Sequence, residues 1–238
     1  MYSILLKRTG TPRGWLVACM LLLQIFVLAA CNRPLTADQL AADMEDNLAR
    51  MSTVQGVLDI SAQGITLQQQ LWAERPNRLR TETEVGPSAF SGVIVVLNET
   101  EGWVYSPSLA MATVVDRSGY NPEMAGASGA GSILERVPVA VLRALQSDYP
   151  FNDLGQESVA GRRVRHIELV VPNGDPAFPP GPLHVWLDNR YSYPLGFRDS
   201  SARHVRFTSV LFNEEIDPLT FVFFPPPAAE VRRVETAP

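Results

Sequence analysis

This chain of 238 residues holds two cysteines, one lysine and three histidines. Cys19 and Cys31 both lie in or at the end of one N-terminal apolar stretch, so a disulfide scaffold and a cysteine-built zinc site are excluded. Lys7 is the sole lysine, and every later base is arginine. His166, His184 and His204 have none of the close spacing of a metal pair and read as surface histidines; the expectation is no metal. Nucleophile motifs are missing too. "GASGAG" at 126–131 lacks the Gly-x-Ser-x-Gly elbow, and no lysine follows to make it a phosphate loop. "FNEEIDP" at 212–218 lacks the alternating oxygen ligands of a calcium loop. Glu82 and Glu84 alternate outward, so no carboxylate pair is assigned to acid–base work. A non-enzymatic protein without cofactor is expected. The net charge is −5, and Lys7, Arg8 and Arg13 fall in residues 1–30, which hold no acid. Residues 31–238 are more acidic still, which argues against nucleic acid as a partner.

A basic start is followed by Trp15–Ala30, nearly all apolar and broken by Gln24. This is short of the roughly 20 residues of a membrane span and has the form of a secretory signal. Leu28-Ala29-Ala30-Cys31 resembles the bacterial lipobox, in which the cysteine becomes the first residue and is lipidated. The other readings are a cysteine in an ordinary signal or an N-terminal anchor helix. The resemblance implies a lipoprotein signal peptide at 1–30, a lipidated Cys31 with a short tether over 31–36, and one domain over 37–238. It places the chain in the cell envelope, exported and lipid-anchored to the outer face of the plasma membrane or to an outer membrane. A tether from Asn32 to Thr36 reaches at most roughly 17 Å. Thr36-Ala37-Asp38-Gln39 then reads as a capping box.

Ala37, Leu40, Ala41, Met44, Leu48 and Met51 follow three–four spacing and predict a helix over 37–51. Beyond it the period falls to two. Ile65, Leu67, Leu71 and Ala73 share a parity, as do Leu79, Thr81, Thr83 and Val85, then Leu183, Val185 and Leu187, then Val205, Phe207, Ser209 and Leu211. Such alternation, punctuated by turns, predicts antiparallel sheet. About ten or eleven strands are expected among 54–63, 64–74, 78–85, 92–98, 102–106, 110–116, 156–160, 162–171, 182–189, 194–199, 203–213 and 219–224. "GVIVVLN" at 92–98 is apolar throughout, as for a strand covered on both faces. Residues 117–150 interrupt the strands. Their Gly/Ala/Ser-rich first half precedes Ser132-Ile133-Leu134-Glu135, which reads as a short helical turn. Pro138 fits the first position of a second helix with Val141, Leu142 and Leu145 on one side. The insert reads as a lid or as an ordinary surface connection. Arg75 has the apolar parity of Ile65, Leu67, Leu71 and Ala73, so it either snorkels to water or reaches a partner.

Residues 70–116 and 205–234 together resemble the LolA/LolB-type lipoprotein-sorting proteins. The features are Trp72 with Arg75-Pro76-Asn77, an apolar strand, Trp103-x-Tyr105-x-Pro107, and Asp217 ahead of Phe221-x-Phe223-x-Pro225-Pro226. The resemblance implies an α+β, mainly antiparallel β fold, a half-open β-barrel of about 11 strands closed on its concave side by helices. It also implies a carrier that shields the acyl chains of a lipid or lipoprotein, held to a membrane by its lipid anchor, with a protein of the envelope as a further partner. The expected cavity wall is Ile65, Leu67, Leu71, Leu79, Val85, Val93, Val95, Leu97, Trp103, Leu183, Val185 and Phe207. The expected lid is Gly126, Gly129, Gly131, Val141, Leu142 and Leu145, and the family's lid-latching arginine corresponds to Arg75. Two features depart from the soluble carrier of the family: the lipobox and the Gly-rich lid. They point toward an anchored receptor or lipid carrier. An envelope-stress sensor of the same fold and a hydrolase on this scaffold are the alternative readings.

Overall fold

In the computed structural model, which describes residues 36–117 and 133–234, Thr36 opens the first element. Its hydroxyl accepts the Gln39 N–H at 3.2 Å, and Gln39 Oε1 accepts the Thr36 N–H at 3.3 Å. The reciprocal pair satisfies two backbone donors that the first turn leaves free. Helix α1 spans Ala37–Arg50 and buries Leu40, Ala41 and Met44. The described residues hold no helix long and apolar enough to cross a membrane.

Two meanders follow. The first comprises β1 (Thr53–Ala62), β2 (Ile65–Glu74), β3 (Arg78–Val85), β4 (Ile94–Leu97), β5 (Glu101–Ser106) and β6 (Met111–Asp116). Helix α2 (Ile133–Leu145) leads into the second: β7 (Phe151–Val159), β8 (Arg162–Val171), β9 (Gly181–Asp188), β10 (Pro194–Arg198) and β11 (His204–Phe212). β12 (Glu230–Val234) comes last. All twelve strands form one open sheet in the order β12-β6-β5-β4-β3-β2-β1-β11-β10-β9-β8-β7. Every ladder is antiparallel except β12 on β6. The helices pack on each other and α2 packs on β8 and β10, which gives the half-open barrel with helices that the sequence implied.

Four local expectations fail, each for a physical reason. Residues 219–224 are not a strand: Asp217 accepts the Leu219 N–H at 2.9 Å and caps a 3₁₀ turn over Pro218–Phe221. Prolines 225–227 then supply no ladder donors. The last strand is instead β12, "EVRRV", every residue of which is exposed, so it carries no apolar alternation. β7 starts at Phe151, five residues before the expected strand; Leu154 is the extra residue of a bulge between Asp153 and Gly155, the latter at φ 99°, which interrupts any alternation there. Finally, α2 is one helix with Pro138 inside it. A proline there forgoes the bond to the carbonyl four residues earlier, but Pro138 is buried along with Val141, Ala144 and Leu145.

The seam between the meanders is the β1–β11 ladder, which runs from Val54↔Phe212 to Ser61↔His204. Register shifts between Val57 and Leu58, with Thr208 as the extra residue on β11. Just before this bulge a Cβ on Gly56 would stand 2.1 Å from the Ser209 carbonyl oxygen. Only glycine allows so close a backbone approach. Gly56→Ala is therefore expected to destabilise the domain by about 1–3 kcal/mol, read by chemical denaturation; an unchanged midpoint would show that the ladder yields without cost.

Candidate functional site

Cross-strand partners share a face of the sheet, so the ladders place each side chain. Gly56, Leu71, Thr81, Val95 and Val104 stand in one row across β1–β5, and Val54, Ala73, Leu79, Leu97 and Gly102 in the next. Leu58↔Phe207 and Ile60↔Val205 carry this face over the seam. Val205, Phe197, Val185 and Ile167 continue it to β8, with Leu183 and Leu169 alongside. This inner face is the one on which α2 lies. It is closed at β8–β11 and β1, where Leu58, Ile167, Leu169, Leu183, Val185, Phe197 and Phe207 are buried. It loosens across the first meander. Leu71 and Leu79 are still buried, Val95, Leu97 and Val115 are half-buried, and Val104 is 47% exposed.

Between α2 and the sheet lies a cleft lined by Leu58, Val137, Pro138, Tyr193, Pro194, Leu195, Gly196, Phe197, Val205 and Phe207. Its free volume is about 10 Å³, room for one water molecule. An acyl chain enters there only if α2 moves. The C-terminal end of α2 is tied down by Asp175, a carboxylate only 1% exposed in the β8–β9 connection. Arg143 Nη2 lies 3.4 Å from both of its oxygens, and the Tyr149 hydroxyl donates to Oδ2 at 3.0 Å. The backbone N–H groups of Ala177 and Phe178 donate to Oδ1 at 2.8 and 2.9 Å. Burial pushes the Asp175 carboxyl up, but the bonds from Phe178, Ala177 and Tyr149 and the charge of Arg143 outweigh it and hold its pKa below the usual range. Asn47 Nδ2 donates to Ser192 Oγ at 3.3 Å and ties α1 to the β9–β10 turn. Sequence reasoning missed Asp175, which sits in a Pro/Gly-rich connection with no periodicity to single it out.

Of the residues expected to line a cavity, Leu71, Leu79, Val93, Val95, Leu97, Leu183, Val185 and Phe207 stand on the inner face, and Phe207 borders the cleft. Leu67 and Ile65 stand on the same face near the β1–β2 turn, Leu67 half-buried and Ile65 39% exposed. Two residues do not belong there. Val85 pairs with Gln68 after a bulge that takes up Glu84, which turns it to the opposite face, 60% exposed. Trp103 pairs with Val96 and Val114, also on the outer face, and its indole N–H donates to Glu101 at 3.0 Å. Val141 and Leu145 of α2 are buried and Leu142 is half-buried. Gly126, Gly129, Gly131 and Cys31 lie outside the described residues. Arg75 is exposed; its backbone N–H donates to the Ser52 carbonyl at 2.9 Å, and its side chain bonds no described residue. Among the described residues, Asp175 supplies a polar contact to α2.

The outer face of the first meander is covered by the chain's own return. Phe223 packs on Trp103 and Tyr105, with ring centroids 5.5 and 5.7 Å apart. Arg80 donates to the Thr220 carbonyl at 3.0 Å and Asn98 to that of Phe221 at 3.3 Å. Val96, Ala112 and Val114 are buried on this side. The histidines, expected at the surface, are on the outer face of the second meander and only 12% (His166) and 18% (His184) exposed.

No family model matches the chain. An uncharacterised protein of Methanocaldococcus jannaschii is 21% identical over 225 residues, which are 89% of this chain and 59% of that protein. The chain thus spans under two thirds of the curated relative it matches. Among solved structures, an uncharacterised conserved protein from Thermus thermophilus aligns over 83% of this chain and 99% of its own, at 13% identity and a TM-score of 0.53. A chain of the Pseudomonas aeruginosa MucA/MucB complex aligns over 79% of this chain and 61% of its own, at 13% identity and a TM-score of 0.50. At such identities the likeness is one of fold.

Asp175→Asn removes the charge that holds Arg143 and is expected to cost about 1–3 kcal/mol, with faster amide exchange over residues 142–149. Because the folded carboxyl titrates below its unfolded value, its contribution is complete above the unfolded pKa and is lost as pH falls through the lower folded one. The wild-type advantage over Asp175→Asn should therefore begin to shrink below about pH 4 and be gone once pH is below the lower folded pKa. An advantage that persists there would remove the charge from the account.

Proposed function

We propose that the chain is a membrane-anchored carrier of the cell envelope, taking up acyl chains of a lipid or lipoprotein between α2 and the inner face of the sheet. One observation carries this reading: a continuous apolar face under a helix whose end is tied by a polar cluster, buried beneath that helix and half-open beyond it. Each methylene buried there gains about 0.8 kcal/mol, so ten offset roughly 8 kcal/mol of helix displacement and polar contacts released. No bond is made or broken in such a cycle. Residues 1–30 are the proposed lipoprotein signal, Cys31 the lipidated anchor, and 37–238 the binding domain, held within a short tether of the bilayer where acyl ligands enter and leave. The likeness to a chain of the MucA/MucB complex favours a second reading, in which the same domain contacts another envelope protein and reports occupancy to it.

The test is native mass spectrometry of the full chain taken from membranes, with lipid extraction and a fluorescent fatty acid as probe. Bound acyl ligand is expected, and Val137→Trp, which fills the cleft from α2, should lower probe affinity at least tenfold with the circular dichroism unchanged. A folded chain that carries no acyl ligand and ignores the probe overturns the carrier reading; co-purification with one envelope protein then supports the second. Cys31→Ser is expected to move the chain from the membrane fraction to the soluble one. Retention in the membrane would reject the lipidated anchor.

A further inference from the structure

The inner face of the first meander is not wholly apolar. Gln69 on β2 and Thr83 on β3 are cross-strand partners, and Gln69 Nε2 donates to Thr83 Oγ1 at 3.0 Å. Thr81 stands two residues earlier on β3, on the same face and about 7 Å along the strand. Gln69 is also the partner of Leu58 across the β1–β2 ladder, and Leu58 lines the cleft under α2. Leu71 and Val95 flank Thr81 on either side. Gln69, Thr81 and Thr83 therefore form a polar island in an aliphatic surface, beside the cleft.

The island has hydrogen-bonding capacity to spare. Thr81 and Thr83 are only 8% and 3% exposed. Among the described residues the Thr81 hydroxyl has no partner, and the Thr83 hydroxyl accepts from Gln69 but donates to nothing. Gln69 keeps a second N–H and its amide oxygen. Donors buried without acceptors carry a desolvation cost, which a carbonyl oxygen placed among them removes. Charge, by contrast, is missing: within strands β1–β6 no residue on this face is charged. A carboxylate moved here from water would meet no cation. A free fatty acid therefore uses the cleft only with its head group left in water. An ester or amide carbonyl is neutral and a good acceptor, and these donors suit it.

We propose that Gln69, Thr81 and Thr83 form a subsite for the carbonyl that joins an acyl chain to its head group, so that the domain prefers ester- or amide-linked acyl chains. This rests on the carrier reading and adds to it the class of ligand. A carbonyl held there sends its chain past Leu58 beneath α2 and leaves the head group toward the half-open side of the sheet, where Val104 is exposed.

The test is fluorescence titration of the full chain with three pyrene-labelled probes of equal length: an acyl methyl ester, the matching N-methyl amide, and the alkyl methyl ether that lacks the carbonyl. In the wild type the ester or the amide should bind about tenfold more tightly than the ether, the worth of one or two hydrogen bonds. A tighter ester points to glycerolipids as the source, and a tighter amide to N-acylated proteins. Gln69→Leu and Thr81→Val should each remove most of this preference with the ether affinity unchanged, and the double substitution should abolish it. Circular dichroism separates misfolding from lost recognition; if Gln69→Leu misfolds, Thr81→Val, which keeps the side chain's shape, decides. Equal binding of all three probes, or a preference that survives the double substitution, overturns the subsite and leaves the carrier reading standing. Binding of none of the three overturns both.

Discussion

β1 is hydrogen-bonded on one side to β2, its neighbour in sequence, and on the other to β11, whose residues come some 150 positions later. That second ladder is where the two meanders become one sheet. Each half alone would expose a row of unpaired backbone and one apolar face. The ladder sets Leu58 beside Phe207, and the cleft under α2 draws its wall from both halves: Leu58 from one, Leu195, Phe197 and Phe207 from the other. Gly56 permits the approach, and the Thr208 bulge keeps both apolar sets on the helix side after the register shift. The cleft is therefore a property of the seam rather than of either half.

The parts legible in the sequence are those governed by local chemistry. The Thr36–Gln39 cap, the α1 stripe and the alternation of β2 and β9 follow from spacing within one element, whereas on β11 the Thr208 bulge turns Ser209 and Leu211, expected to share the parity of Val205 and Phe207, to the opposite face. What failed depended on more than one element. Val85 shares a parity with Leu79 and Thr83, but the bulge at Glu84 is set by β2, so counting by twos puts it on the wrong face. β12 has no buried face and exists because β6 offers a free edge. His166 and His184 meet because of the β8–β9 register, which no spacing in the chain announces. Asp175 is one aspartate among many until the fold brings Arg143 and Tyr149 to it.

The aromatic residues that carry the family resemblance fasten the fold rather than line a cavity. Trp103 and Tyr105 receive Phe223, and Asp217 caps the 3₁₀ turn that delivers Phe221 to the same surface. These motifs tie the C-terminal return to the outside of the sheet. They identify the architecture because they hold it together, whereas the inner face is made of interchangeable aliphatic residues on which no fixed pattern is imposed. Likeness in such motifs thus reports architecture.

The parallel pairing of β12 with β6 sets an order of events for a chain that emerges N-terminus first. Strands β1–β6 are made early, yet the outer edge of β6 and the aromatic surface at Trp103 find their partners only in residues 218–234. Until the last segment is delivered, the first meander carries an open edge and a bare apolar back, the features that draw strands of other chains together. A premature end to synthesis before Pro218 would remove no residue of the cleft. It would nevertheless leave a molecule whose hazard is association with its own kind, so the last seventeen residues of the described chain guard the first meander rather than the cleft.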